Sequence, residues 1–481
     1  MTSANATPPA PEPEASRPER PSGGQFAAFA TTSAITNVIS LIAGFGGSIL
    51  LARYLGRAGK GQFTFLMTIS AVIFSTGNLG LGSAITYRVS RGLTQPAVAG
   101  AHAVILGLLI GLGGLGVTIL LVPPENEAWS GLALPVILVA LAMAPVNFVD
   151  RFLGRLLSAL LKIHVSNALG SLRAILRLGL LLLLLVVLKW NVGGAVVATV
   201  GALTICTALR LAVVWRTCGV RLTWDGDFLK GAVSYGVLAY LLLLTMELVV
   251  KVDVFFVKSW CGDGQLGVYS VAAGVAQMFW LLPGAVTSAL FPVAARRKQD
   301  RGGYVLTLCR LQVGLGLLGG PLLAAVAPLV IWVHGSQFMA SLWPFYGLLP
   351  GILLYPIGKY LTVDLAARGN QKVPLLFSIV TLAIDLVLVV VLVPQDAWYG
   401  GIQGAAFASS VAYGFLAMGL AVYYARKTNV RLSQILVPSR SDLAPLKRGV
   451  GAVLVKMKAR LGKRGDPDAG SDEADSDTDG E

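Results

Sequence analysis

Charge is scarce in this chain. Asp, Glu, Lys and Arg make up 13% of its 481 residues, against 55% hydrophobic residues. A soluble domain carries roughly a quarter charged residues, so there is too little polar surface to face water on all sides. Cysteine is equally sparse. Cys206, Cys218, Cys261 and Cys309 are scattered with no C-x-x-C spacing, which excludes the close pairs of zinc and redox sites. His102, His164 and His334 lie far apart and propose no metal site. Gly59-Lys60 lacks Walker A spacing and its following Ser or Thr. Gly111-x-Gly113-x-x-Gly116 matches a dinucleotide fingerprint but lies inside an apolar run with no strand before it, where small residues pack helices. No long loop carries paired acids. The expectation is a protein that is not an enzyme, with no catalytic residues, no metal and no cofactor.

What the chain has is long apolar runs. Crossing a bilayer takes roughly 20 mostly apolar residues in a helix, and about twelve such stretches can be drawn on that measure, the first Phe26–Ala52 and the last Gly401–Tyr424. The fold class expected is an all-α membrane protein. The net charge of +14 is not a nucleic-acid signal, because Lys and Arg fall in short gaps between the runs. Arg88 and Arg91, Arg155 and Lys162, Arg216 and Lys230, Arg296 to Arg301, and Arg368 and Lys372 alternate with gaps poor in cations. The positive-inside rule then puts both termini in the cytoplasm. Only the first gap, with Arg53, Arg57 and Lys60, breaks the alternation.

A repeat divides the chain. Leu55-Gly56-Arg57-Ala58-Gly59-Lys60-Gly61-Gln62-Phe63 returns as Cys261-Gly262-Asp263-Gly264-Gln265-Leu266-Gly267-Val268-Tyr269. One offset of 206 positions pairs Gly56 with Gly262, Gly61 with Gly267, Phe63 with Tyr269 and Arg91 with Arg297. The copies join the first two spans and the seventh and eighth, so they share one orientation. That predicts two six-helix lobes related by a pseudo-two-fold axis along the membrane normal. The divisions are a cytoplasmic arm over 1–25, an N-lobe over 26–216, an inter-lobe loop over 217–230 and a C-lobe over 231–427. A basic amphipathic segment over 428–465 is suited to anionic membrane lipids, and an acidic tail follows over 466–481.

Leu51-Ala52-Arg53-Tyr54-Leu55-Gly56, Gly59-Lys60-Gly61-Gln62-Phe63 and Asn78-Leu79-Gly80-Leu81-Gly82-Ser83-Ala84 resemble the opening of bacterial polysaccharide-biosynthesis membrane proteins, the Wzx-type lipid-linked oligosaccharide flippases. Lys251-Val252-Asp253 before the Gly267 turn, and Ala366-Ala367-Arg368-Gly369-Asn370-Gln371-Lys372-Val373-Pro374, continue the similarity over about Phe26 to Lys427. The superfamily also holds peptidoglycan-precursor flippases and multidrug and toxin extrusion transporters. The lack of a thirteenth and fourteenth helix disfavours the peptidoglycan-precursor subgroup. The resemblance implies a multi-pass protein of the bacterial cytoplasmic membrane that turns a polyprenyl-pyrophosphate-linked oligosaccharide across the bilayer by alternating access. A polysaccharide polymerase or other assembly protein is an implied partner. An ion-coupled drug or metabolite antiporter, and a non-transporting partner in a glycan-assembly complex, stay open as alternatives.

Ionisable groups at bilayer depth are functional candidates by default. Arg173 and Arg177 lie four residues apart in the fifth span, on one helix face, and Arg offers a fork of donors to phosphate oxygens. With Lys251 they are the expected pyrophosphate site, and Arg151, Arg155 and Lys359 are entrance candidates. Glu247, Asp253 and Asp385 are candidates for coupling to a proton or sodium ion. Pairing with acids to hold helices together is the competing use of each.

Overall fold

The computed structural model describes residues 23–123, 126, 129–219, 226–281, 283–284, 303–394 and 400–439. The expected basic segment and acidic tail beyond 439, and the cations from Arg296 to Arg301, lie outside the described residues. In hydrocarbon every backbone N–H and C=O must be satisfied within the chain, and the described residues are accordingly helical. In order they form α1 (Gly23–Gly77), α2 (Leu81–Ser90), α3 (Pro96–Leu121), α4 (Leu134–Ala159), α5 (Ile163–Leu181) and α6 (Asn191–Cys218). There follow α7 (Gly226–Gln277), α8 (Gly303–His334), α9 (Leu342–Ala367), α10 (Lys372–Leu392), α11 (Ile402–Thr428) and the short α12 (Leu432–Leu436). A π-helical turn, Leu182–Val187, extends α5. Among the described residues nine helices are long and apolar enough to cross a membrane. The chain is a multi-pass membrane protein.

Two of these helices are each two segments in series. α1 breaks at Gly56 (φ 66°, ψ −169°) and α7 at Gly262 (φ 77°, ψ 177°). That is a left-handed φ with extended ψ, available to glycine and very few other residues. The two repeat copies therefore make the same kink, and they meet each other there. A methyl group on Gly61 would overlap the carbonyl oxygen of Asp263, and one on Gly267 would overlap the carbonyl oxygen of Arg57. Asp263 stands at the position of Arg57 in the repeat, so the contact is reciprocal. Residues around 131, 192 and 337 gather at this turn end, seen in Gln62 Nε2 to Gly131 O (3.5 Å), Val192 against Gly59, and Arg57 Nε donating to Gln337 O (2.6 Å). The opposite end collects the cation-rich gaps, with Arg155 against Gly82 and Lys162 Nζ donating to Thr217 Oγ1 (3.0 Å).

Between the repeat turns, the second segment of α1 runs along α7. Phe65 meets Phe255 edge to face at 5.9 Å, and the Tyr240 hydroxyl donates to Thr76 O. Of the glycines of α3 that mimic a nucleotide motif, Gly111 lets backbones approach, since a methyl group on it would overlap the backbone of Pro145 in α4, whereas a methyl group on Gly113 or Gly116 would meet nothing within 4 Å among the described residues. Small-residue packing is the use expected of them. Two apolar cores result. One runs through both halves around Phe65, Tyr269, Tyr355 and Tyr424, and a smaller one around Phe148, Phe152 and Leu156 lies at the cation-rich end of α2, α3, α4 and α6.

Candidate functional site

The N-terminal half concentrates cations around one acid. Asp150 in α4 is buried, and Arg210 in α6 is buried against it. Arg210 Nη1 donates to Asp150 Oδ1 (2.5 Å) and to its main-chain oxygen (2.8 Å), and Nη2 reaches Ser166 O (3.4 Å). Arg173 in α5 takes the other carboxylate oxygen, Nη1 to Oδ2 at 3.1 Å, and its side chain stays 41% exposed. One carboxylate thus faces two guanidinium groups, one locked in and one open. Arg210 was absent from the sequence-based candidates. Its place in the apolar run Leu209 to Leu211 carried the same signal as the arginines of α5.

Arg177 lies one turn beyond Arg173, within its electrostatic reach. Its Nε is buried with no hydrogen-bond partner. Arg151 is exposed; its Nε donates to Asn147 Oδ1 (3.3 Å), and its guanidinium lies 4.6 Å from the Phe74 ring centroid. Arg155 and Arg173 on one side and Glu247 of α7 on the other act on Arg151 electrostatically. Glu247 in turn acts on Lys359 of α9, whose ammonium lies 5.2 Å from the Tyr355 ring and 5.7 Å from Trp280. Glu247 thus lies within electrostatic range of one cation from each half, Arg151 and Lys359. Among the described residues Glu247 and Lys251 form no ion pair. Lys251 lies within electrostatic range of Asp253.

The C-terminal half buries acids instead. Asp253 Oδ2 accepts the Tyr269 hydroxyl, and Oδ1 accepts the Val254 N–H at 2.8 Å. Asp385 in α10 is fully buried, and neither of its carboxylate oxygens has a hydrogen-bond partner among the described residues. Ser409 faces Asp253 and Tyr269, and Asp253 acts on Asp385. Two carboxylates, a hydroxyl and a phenol from α7, α10 and α11 thus converge, an oxygen-rich set of the kind that takes a proton or a hard cation. Tyr269 and Ser409 were not foreseen; a Tyr or Ser in an apolar run carries no signal of its own. Gln312 donates to Leu353 O (3.1 Å) and ties α8 to α9.

An all-helical, multi-pass chain with kinked paired helices and charged groups inside both halves has the build of a membrane transporter. The chain belongs to the polysaccharide biosynthesis protein family, whose model matches residues 29–298. No curated protein matches it. Among solved structures it is similar to a multidrug resistance MATE family transporter of the MOP superfamily in an inward-facing conformation, at 17% identity and a TM-score of 0.63, covering 83% of this chain and 98% of that one. An outward-facing MATE family transporter matches at 16% identity and TM-score 0.61, over 83% of this chain and 95% of that one. A MOP superfamily transporter from Pyrococcus furiosus, whose reverse polarity of binding pocket suggests a different function, matches at 16% identity and TM-score 0.61, over 84% of this chain and 95% of that one. At such identity the likeness is one of fold.

Proposed function

We propose that this chain is a flippase that carries a polyprenyl-pyrophosphate-linked oligosaccharide across the bacterial cytoplasmic membrane for exopolysaccharide or surface-glycan assembly. The observation that carries the reading is the excess of guanidinium groups over acids in the N-terminal half. Of Arg151, Arg155, Arg173, Arg177 and Arg210, only Arg173 and Arg210 form an ion pair among the described residues, both with Asp150, and the buried Nε of Arg177 has no acceptor there. Unpaired cations at such depth are costly, and a cargo bearing two phosphates supplies what they lack. Arg173 and Arg177 hold the pyrophosphate, Lys251 completes the set from α7, and Arg151, Arg155 and Lys359 draw the head-group in. The lipid chain stays in the bilayer while the sugars pass between the halves.

In this reading the repeat defines two parallel six-helix lobes, twelve spans in all, with both termini cytoplasmic and the glycine-turn end facing outward. The lobes rock about their contact to alternate access. Asp253 and Asp385 take up a proton or sodium ion in the C-lobe and couple its movement to that rocking, with Glu247 between the lobes. Ion-coupled drug antiport is the second reading, favoured by those acids and by the fold shared with multidrug transporters.

Proteoliposomes loaded with the lipid-linked oligosaccharide decide between them. Exposure of the glycan on the opposite leaflet, dependent on the protein and lost with Arg173→Ala and Arg177→Ala together, supports the flippase. Drug uptake driven by an ion gradient with no glycan movement supports the antiporter and ends the first reading.

A further inference from the structure

The first glycine turn carries a cation that neither the anchoring pattern nor the site above uses. Lys60 is 7% exposed, although it lies beside the exposed Arg57. Its Nζ has one hydrogen-bond partner among the described residues, Ser48 Oγ at 3.4 Å. Arg177 reaches the same place from α5. Its Nη2 lies 3.7 Å from where a Cβ on Gly47, the neighbour of Ser48, would stand, and its Nε is the unpartnered donor already noted. The two cations act on one another, and among the described residues no carboxylate pairs with either. The charges next along the wall are also positive: Arg173 on one side, itself held by Asp150, and Arg53 on the other, which acts with Lys60 on His334.

Lys60 is buried and Arg177 half-buried with a buried Nε, so the two like charges repel each other and lack hydrogen bonds that would offset their desolvation. Helix packing alone gives no reason to bring them together, and an oxyanion placed between them answers both deficits. We propose that Lys60 and Arg177, converging on Gly47 and Ser48, form a second anion-binding station for the phosphates of the cargo, at the glycine-turn end of the path. This rests on the flippase reading for the identity of the cargo, while the anion chemistry stands on the side chains themselves. The head-group would pass from Arg151 and Arg155 to Arg173, which must leave Asp150, and then to Arg177 and Lys60. Lys60 is then the last cation to hold the pyrophosphate before release, and the exception in the charge alternation becomes part of the route.

The test uses the full-length protein in nanodiscs, with inorganic pyrophosphate and polyprenyl pyrophosphate as separate probes, followed by melting temperature and by binding. Lys60→Gln is expected to weaken pyrophosphate binding by about tenfold or more, the range for losing a charge-assisted contact, and Lys60→Arg to restore it. Ser48→Asp places a built-in anion beside both cations, so it is expected to raise the melting temperature without ligand and to abolish the rise that pyrophosphate gives the parent protein. A pyrophosphate response that survives unchanged in Lys60→Gln and in Ser48→Asp overturns the station. If inorganic pyrophosphate binds in a Lys60-dependent way but the lipid form neither binds nor moves, the station stands and the flippase reading falls. If the lipid form is flipped by the parent and at the same rate by Lys60→Gln, the flippase stands and the station falls.

Discussion

Two buried carboxylates show how differently the halves of this chain use charge. Asp150, in the N-terminal half, is oversubscribed, with Arg210 on one oxygen and Arg173 on the other. Asp385, in the C-terminal half, is fully buried with neither oxygen hydrogen-bonded. The first is a fixed counter-ion among too many cations. The second is an acid waiting for a positive charge. Copies of one turn motif thus stand in halves of opposite charge balance, one with guanidinium groups in excess and the other with buried acids. The flippase proposal gives a reason to keep the two in separate halves, where neither neutralises the other.

The same chemical change should therefore act in opposite directions at the two sites. Asp150→Asn leaves Arg210 buried without its charge partner, and breaking such a pair costs about 3–5 kcal/mol; a large drop in melting temperature in detergent is expected. An unchanged melting temperature would remove the counter-ion role. Next in size, Arg173→Ala with Arg177→Ala should slow glycan translocation by about a hundredfold or more, from two lost charged contacts, measured in proteoliposomes. Asp385→Asn comes third. It removes a carboxyl group with no hydrogen-bond partner among the described residues, so stability should hold or rise, while the acceleration of transport by an imposed ion gradient should vanish. A variant that melts much earlier, or still answers the gradient, would erase the contrast with Asp150. The smallest effect is expected from Gln312→Leu, which breaks one neutral hydrogen bond between α8 and α9 and should lower stability by about 1 kcal/mol with transport intact.

The architecture was legible because hydrocarbon is an unforgiving solvent. Run length disclosed the helical, multi-pass build, with nine helices long enough to cross a membrane among the described residues where about twelve spans were expected, and a single offset disclosed the repeat whose glycines, Gly61 and Gly267, meet in the structure. The site was legible in part. Arg173 and Arg177 could be paired because four residues along a helix fix a face. Partners from distant helices could not be: Arg210 lies 60 residues from Asp150, Tyr269 lies beyond a kink from Asp253, and Ser409 reaches that cluster from α11. Lys60 was misjudged for another reason. Position in a gap suggests solvent, but the left-handed turn at Gly56 folds the start of the next segment back, so that the side chain points to Ser48 rather than to water.

The reciprocal seating of Gly61 on the Asp263 carbonyl and Gly267 on the Arg57 carbonyl makes a seam in which each face offers one glycine and one main-chain oxygen to the other. Such a seam has no interlocked rotamers to unpick. Beside it lie polar contacts, Gln62 with Asp263 (3.2 Å) and Arg57 with Gln337, and the edge-to-face pair Phe65 and Phe255 further along the same two helices. Bulk at either glycine would prop the two turns apart.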